Sequence, residues 1–199
     1  MVREGIPFVL IPAAFAAGFA IFGWWIPAAV FLFLCLFMAF FFRDPKRSIP
    51  TEPNIVVSAA DGRVTRIEET ADGKLVSVFL SPLDVHINRS PIAGKITQIE
   101  YIKGKKTPAT SNDASFVNER NSLLIESDEM TVKCTQIAGI LARRIVCWPS
   151  TGDNLERGQK FGLIKFGSRT DLLMPPDLQI EVRLGDKVRG GETIIARKK

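Results

Sequence analysis

The sequence predicts a mostly β domain carried behind an N-terminal hydrophobic helical membrane anchor. Three features predict it: one unbroken apolar run near the start, a proline-rich polar stretch after it, and then short β-rich segments alternating with turn residues. A chain of 199 residues suffices for one domain with an appendage, and its 46% hydrophobic content is high for a soluble protein. The excess lies between Ile6 and Phe42, where no Asp, Glu, Lys, Arg or His occurs.

That run of about 37 residues would extend about 55 Å as one straight helix, well beyond a hydrocarbon core of about 30 Å. Two short helical spans over residues 7–22 and 26–42 fit better, with Gly23, Trp24, Trp25 and Pro27 turning the chain between them. Each span is marginally short, so a re-entrant hairpin and a single tilted span from the second half both stay open. Arg3 precedes the run and Arg43, Lys46 and Arg47 follow it, which by the positive-inside tendency puts both flanks, and the domain beyond, on the cytoplasmic side of the cell membrane. A cleaved secretory signal fits poorly, because the run exceeds a signal core and the Phe-Phe-Phe-Arg end at residues 40–43 offers no small-residue cleavage site. The anchor is therefore expected over residues 1–43, followed by a stiff linker over 44–54 that holds Asp44-Pro45, Ile49-Pro50 and Glu52-Pro53.

Beyond the linker, residues 55–199 form the expected β domain. Strands are read at 55–58, 63–67, 75–80, 95–102, 122–126, 130–136, 143–148 and 179–182, with one helical candidate at 137–144. Residues 58–64, Ser-Ala-Ala-Asp-Gly-Arg-Val, resemble the strand and turn that open a barrel-sandwich hybrid of the biotinyl/lipoyl type, and the Gly-rich hairpin at 184–194 resembles the one that closes it. Cys35, Cys134 and Cys147 make neither a disulfide framework nor a metal cluster, so they read as packed thiols and no metal is expected. The net charge of +5 comes without a basic tract interleaved with aromatics, which argues against nucleic acid and, beside an anchor, for attraction to anionic membrane lipid.

The chemistry centres on Lys165-Phe166-Gly167-Ser168-Arg169-Thr170-Asp171, a Gly-Ser pair between two apolar runs, and on His86, the only histidine. Taken alone, a Gly-Ser dipeptide is a turn. The order of features, however, runs from an apolar N-terminus through Phe42-Arg43-Asp44-Pro45, Asp61-Gly62, Asp84-Val85-His86, Asn118-Glu119-Arg120-Asn121 and Gly167-Ser168. In that order and spacing the chain resembles the short, archaeal-type proenzyme form of the phosphatidylserine decarboxylase family, from the anchor to the C-terminus.

The resemblance implies self-cleavage between Gly167 and Ser168 into a β chain, 1–167, and an α chain, 168–199. Ser168 would become a pyruvoyl group that forms a Schiff base with phosphatidylserine and yields phosphatidylethanolamine and carbon dioxide, with neither metal nor pyridoxal phosphate. Serine supplies both an oxygen nucleophile and a β leaving position, and glycine before it permits the tight turn that the attack needs. His86 is the one imidazole available as base, with Asp61 implied as its orienting carboxylate and Asp84 read as a structural acid. Longer bacterial members carry a second histidine where this chain has Arg89, so the division of labour between maturation and turnover stays open. Arg89, Arg120 and Asn118 are candidates for substrate binding, as are the lysines of 103–106 and the arginines at 143 and 144. The expected partners are phosphatidylserine, membrane lipid and the two chains of one precursor, with room for a homo-oligomer. A non-enzymatic, membrane-anchored barrel-sandwich carrier or transport adaptor is the alternative, though the chain lacks a Met-Lys-Met hairpin and a long heptad-rich insertion. A serine hydrolase fits less well, since Gly-x-Ser-x-Gly is missing around Ser168.

Overall fold

The structure, a computed structural model, describes residues 1–105, 107–108, 111, 113–140, 144–165 and 167–198. It divides into two compact units, Met1–Lys46 and Arg47–Lys199. In the first, α1 (Ile6–Ile21) and α2 (Trp25–Phe41) form a helical hairpin. The chain reverses at Gly23, whose φ of 75° is a left-handed conformation that glycine adopts without penalty. Aromatic rings lock helix to helix, Phe31 lying 5.1 Å from Phe15 and 5.5 Å from Phe19 between centroids. Residues Arg3–Ile21 make one stretch long and apolar enough to cross a membrane, while α2 is a shorter apolar helix. Trp24 and Trp25 are exposed at the turn.

The second unit is mostly β. Its strands are β1 (Ile55–Val57), β2 (Gly62–Thr70), β3 (Gly73–Leu80), β4 (Ile87–Arg89) and β5 (Gly94–Ile102), then a one-turn helix α3 (Ala114–Val117). They continue with β6 (Arg120–Glu126), β7 (Thr131–Ala138), β8 (Arg144–Cys147), β9 (Asn154–Leu155) and β10 (Lys160–Lys165), and end with β11 (Ser168–Met174), β12 (Leu178–Ile180), β13 (Lys187–Val188) and β14 (Ile194–Lys198). An eight-stranded sheet has the order β13-β2-β3-β11-β7-β6-β5-β9, and two three-stranded sheets have the orders β1-β14-β12 and β4-β10-β8. The two Gly-rich segments taken from the sequence as opening and closing halves do meet, Lys187 pairing with Arg63 and Val188 with Gly62. Only glycine fits at 62, since a Cβ there would collide with the Phe79 carbonyl.

The core runs between the sheets and includes Val78, Leu80, Leu123, Phe161 and Leu172, each at most 1% exposed. Two readings from sequence need correction. The helical candidate at 137–144 meets strand at both ends, since Ile137 and Ala138 finish β7 and Arg144 opens β8, while residues 141–143 lie outside the described residues; and the successive strands β10 and β11, in different sheets, escape the strand pattern. Both segments are buried on either face, so they carry apolar runs and buried polar residues without alternation. Within the stretch read as a stiff linker, Arg47 donates to both carboxylate oxygens of Asp61 at 2.9 and 2.7 Å and to Glu192 at 3.3 Å, and the Ser48 N–H donates to Glu192 at 2.9 Å.

Candidate active site

β11 places Ser168. The strand is central, paired with β3 on one side and β7 on the other, so that Ser168 stands opposite Leu80 and Ala138. Alternate residues of a strand share a face. Leu172 and Met174 belong to the core, so Ser168 and Thr170 point inward with them, whereas Arg169 and Asp171 point to the other face. Ser168 is wholly buried, and its Oγ makes no hydrogen bond among the described residues. Gly167, immediately before it, has a φ of 59°, the left-handed region in which glycine is favoured. The Gly167 carbonyl oxygen accepts a hydrogen bond from the Gly139 N–H at 3.1 Å.

His86 comes from the neighbouring sheet. It is 2% exposed and precedes β4, and its carbonyl accepts from the Ile164 N–H at 3.3 Å, in the strand that runs into Gly167 and Ser168. The imidazole Nδ1 lies 2.9 Å from the Asp84 carbonyl oxygen. A carbonyl only accepts, so in this arrangement Nδ1 carries the proton and Nε2 the lone pair. The Asp84 carboxylate meanwhile caps the turn ahead of it, accepting from the Ser81 N–H at 2.8 Å and hydroxyl at 2.7 Å.

Asp61, the orienter implied by resemblance, directs its carboxylate elsewhere: to Arg47, and to the Gly190 N–H at 2.8 Å. The substrate-binding candidates have bracing tasks of their own. Arg89 reaches the Gly158 carbonyl at 3.0 Å, and Arg120 the Phe116 carbonyl at 2.7 Å. Asn118, fully buried, accepts from the Thr107 hydroxyl and N–H and donates to the Thr107 and Ala138 carbonyls at 2.9 and 2.8 Å. Of the basic candidates, Lys106 and Arg143 lie outside the described residues.

Two buried networks beside Ser168 were missed by motif reading. On the inner side, Asn88 donates to Thr170 Oγ1 at 3.0 Å and to the Ala59 carbonyl at 3.4 Å, and accepts from Gln136 Nε2 at 2.9 Å. Gln136 in turn accepts from Asn121 at 3.0 Å. Asn88 is two residues after His86, as Thr170 is two after Ser168, so this bond ties the two reactive segments together. That i+2 spacing was the available signal. On the outer side, Arg169 pairs with Asp171 at 2.9 Å and both bond the Ser115 hydroxyl, while Arg169 reaches the Ser111 carbonyl at 3.1 Å. The strand after the Gly-Ser bond is thus held from both faces. The Cys134 and Cys147 thiols are both pushed up by burial, away from reactivity.

The model of the family described as phosphatidylserine decarboxylase matches residues 34–196. A phosphatidylserine decarboxylase proenzyme of Symbiobacterium thermophilum is 49% identical over 98% of this chain and 94% of its own length. Proenzymes of the same name from Geotalea uraniireducens and Burkholderia ambifaria are each 42% identical, covering 96% and 98% of this chain and 93% and 94% of their own. A mostly β unit in which a half-buried Gly leads into a buried Ser, in this company, defines a decarboxylase made as a proenzyme. More particularly, the chain belongs to the phosphatidylserine decarboxylase family.

Proposed function

We propose that this chain cuts itself between Gly167 and Ser168, converts Ser168 to a pyruvoyl group, and then decarboxylates phosphatidylserine to phosphatidylethanolamine. The observation that carries the proposal is Ser168 itself, wholly buried with a hydroxyl that bonds nothing among the described residues. An unsatisfied buried hydroxyl costs about 1–3 kcal/mol, which a merely structural serine has no reason to bear. With the left-handed Gly167 before it, the position fits the origin of the group. Once formed, that group supplies a carbonyl that takes up the substrate amine and accepts the electron pair left by departing carbon dioxide.

The chain's own residues do the rest. His86 Nε2 takes the proton of the Ser168 hydroxyl while the Asp84 carbonyl holds Nδ1–H, and Oγ adds to the Gly167 carbonyl carbon. The peptide C–N bond breaks, the proton returns to the Ser168 nitrogen, and an ester joins the two residues. Loss of the Ser168 α-proton then expels the Gly167 carboxylate, and water replaces the nitrogen as ammonia. Asp61 acts by holding the turn at residues 58–62 in place through Arg47 and Gly190. The buried surroundings exclude water and favour loss of charge from the substrate carboxylate. The proposal includes an anchor of α1 and α2 that keeps the enzyme at the cell membrane, where its substrate lies, with the β unit on the cytoplasmic side.

Denaturing electrophoresis with intact-mass measurement tests this directly. The purified protein is expected as two pieces, 1–167 and 168–199, the smaller blocked to N-terminal sequencing and trapped by an amine with borohydride. Ser168→Ala stays uncut and inactive, and His86→Ala loses at least about a hundredfold in cutting rate. Active protein with an unbroken chain at this bond would overturn the proposal, and full-speed processing of His86→Ala would remove His86 from maturation.

A further inference from the structure

We infer that the backbone N–H of Gly139 is the oxyanion donor of the self-cleavage step, and that Asn118 is the side chain that aims it. The inference rests on the self-cleavage reading above and adds residues to it. When Ser168 Oγ bonds to the Gly167 carbon, the carbonyl π pair moves onto the Gly167 oxygen, and it returns as the C–N bond breaks. That oxygen needs a fixed donor while it is charged. The Gly139 N–H already sits 3.1 Å from it. Donors in this range, set in advance in a dry site, stabilise a developing oxyanion more than the neutral carbonyl.

Strand register explains why the donor falls there. β7 and β11 run antiparallel with Ala138 opposite Ser168 and Ile137 opposite Arg169. One rung further, beyond the ends of both strands, the ladder's next bond lands on the carbonyl of the scissile peptide. Gly139 N–H and the Ala138 carbonyl belong to one planar peptide unit and point in opposite directions. Asn118 Nδ2 donates to that Ala138 oxygen at 2.8 Å, and the Ala138 N–H donates to the Glu119 carbonyl at 2.9 Å. Asn118 is itself fixed by Thr107 on both ends of its amide. The peptide plane therefore has one orientation, and a bond accepted at its oxygen polarises its N–H as a donor. Ala138, Asn118 and Ser168 are all 0% exposed and Gly139 is buried, so the donor side of this bond is held away from water, while Gly167 itself is half-buried.

The test is the cutting rate of freshly translated full-length chain, followed on denaturing gels. Gly139→Pro deletes the N–H, and the strand residue before it suits a following proline. Cutting is expected to slow about 10²–10³-fold at every pH, with the midpoint of the pH–rate profile unmoved. Hydroxylamine should release no 168–199 fragment from the uncut variant, because ester formation is the step that is lost. Asn118→Ala, which keeps the backbone donor but frees its plane, should slow cutting about 10–100-fold in the same way. Ile125→Ala, a core change remote from this bond, reports the effect of lost stability alone and should cut at the wild-type rate. The inference fails if folded Gly139→Pro cuts as fast as wild type, or if hydroxylamine releases the fragment from it. Should Gly139→Pro not fold, folded Asn118→Ala cutting at the wild-type rate overturns it alone. An uncut wild-type chain instead refutes the self-cleavage reading beneath it.

Discussion

Asn88 joins the two segments that matter most. It is wholly buried, and its one amide serves Thr170, Ala59 and Gln136. A buried amide is worth keeping only when every bond is made, because each orphaned group costs about 1–3 kcal/mol. Asn88→Ala and Thr170→Val should each lower stability by about that amount and slow self-cleavage, since each releases the His86 segment from the Ser168 strand. The double variant should cut no more slowly than the worse single, because both remove the same bond. Additive losses in the measured cutting rates would show that the bond is not the unit of action. At this scale His86 draws the eye in the sequence because it is the only histidine, whereas Gly167 and Ser168 stand out only through their place in the order of motifs. Asn88, Gln136 and Gly139 do not, because an amide or a glycine gains its meaning only from what lies across the sheet.

β11 shows how one strand serves two faces. Its even-numbered residues run from Ser168 into the core, while Arg169 and Asp171 form an ion pair on the opposite face, both side chains at most 7% exposed. Removing one member of a buried pair leaves an unpaired charge out of water, so Asp171→Asn should cost about 3–5 kcal/mol in denaturant unfolding. Replacing both, as Arg169→Met with Asp171→Leu, should recover most of the loss, whereas equal loss in single and double would assign the cost to packing. The same two-sided burial explains what the sequence concealed. Strands such as β2 and β5, largely exposed on one face and bounded by turn residues, show in the sequence even though a bulge breaks the alternation of each; β10 and β11 are buried almost throughout and carry no such pattern. The helical candidate at 137–144 opens on the apolar end of β7, where a short apolar stretch fits either period.

Across the whole β unit, residues 168–199 contribute to two of the three sheets: β11 and β13 to the large one, β12 and β14 to the sheet that holds β1. A cut before Ser168 would leave this segment threaded through the fold by its ladders. The segment is also tied back by Glu192. The Ser48 N–H above all holds that carboxyl below the usual glutamate range, against the opposing effect of burial and with further help from Arg47 and Arg189. A depressed carboxyl contributes stability that is fully present above its unfolded value and lost as pH falls through the folded one. Wild type should therefore melt higher than Glu192→Gln at neutral pH, by under about 1 kcal/mol after solvent screening, and the gap in thermal melts should close as pH drops below the ordinary glutamate value. A gap that persists in acid would show that the carboxylate charge is not its source. By itself the sequence determined the β class, the apolar hairpin, the Gly-Ser pair and the family motifs, all of which reside in residue type and short spacing. The tertiary structure alone decided that Asp61 meets Arg47, Asn88 meets Thr170 and Gly139 faces the Gly167 carbonyl. A local period fixes which face a residue takes, whereas the register between strands far apart in the chain is set only when the whole core packs at once.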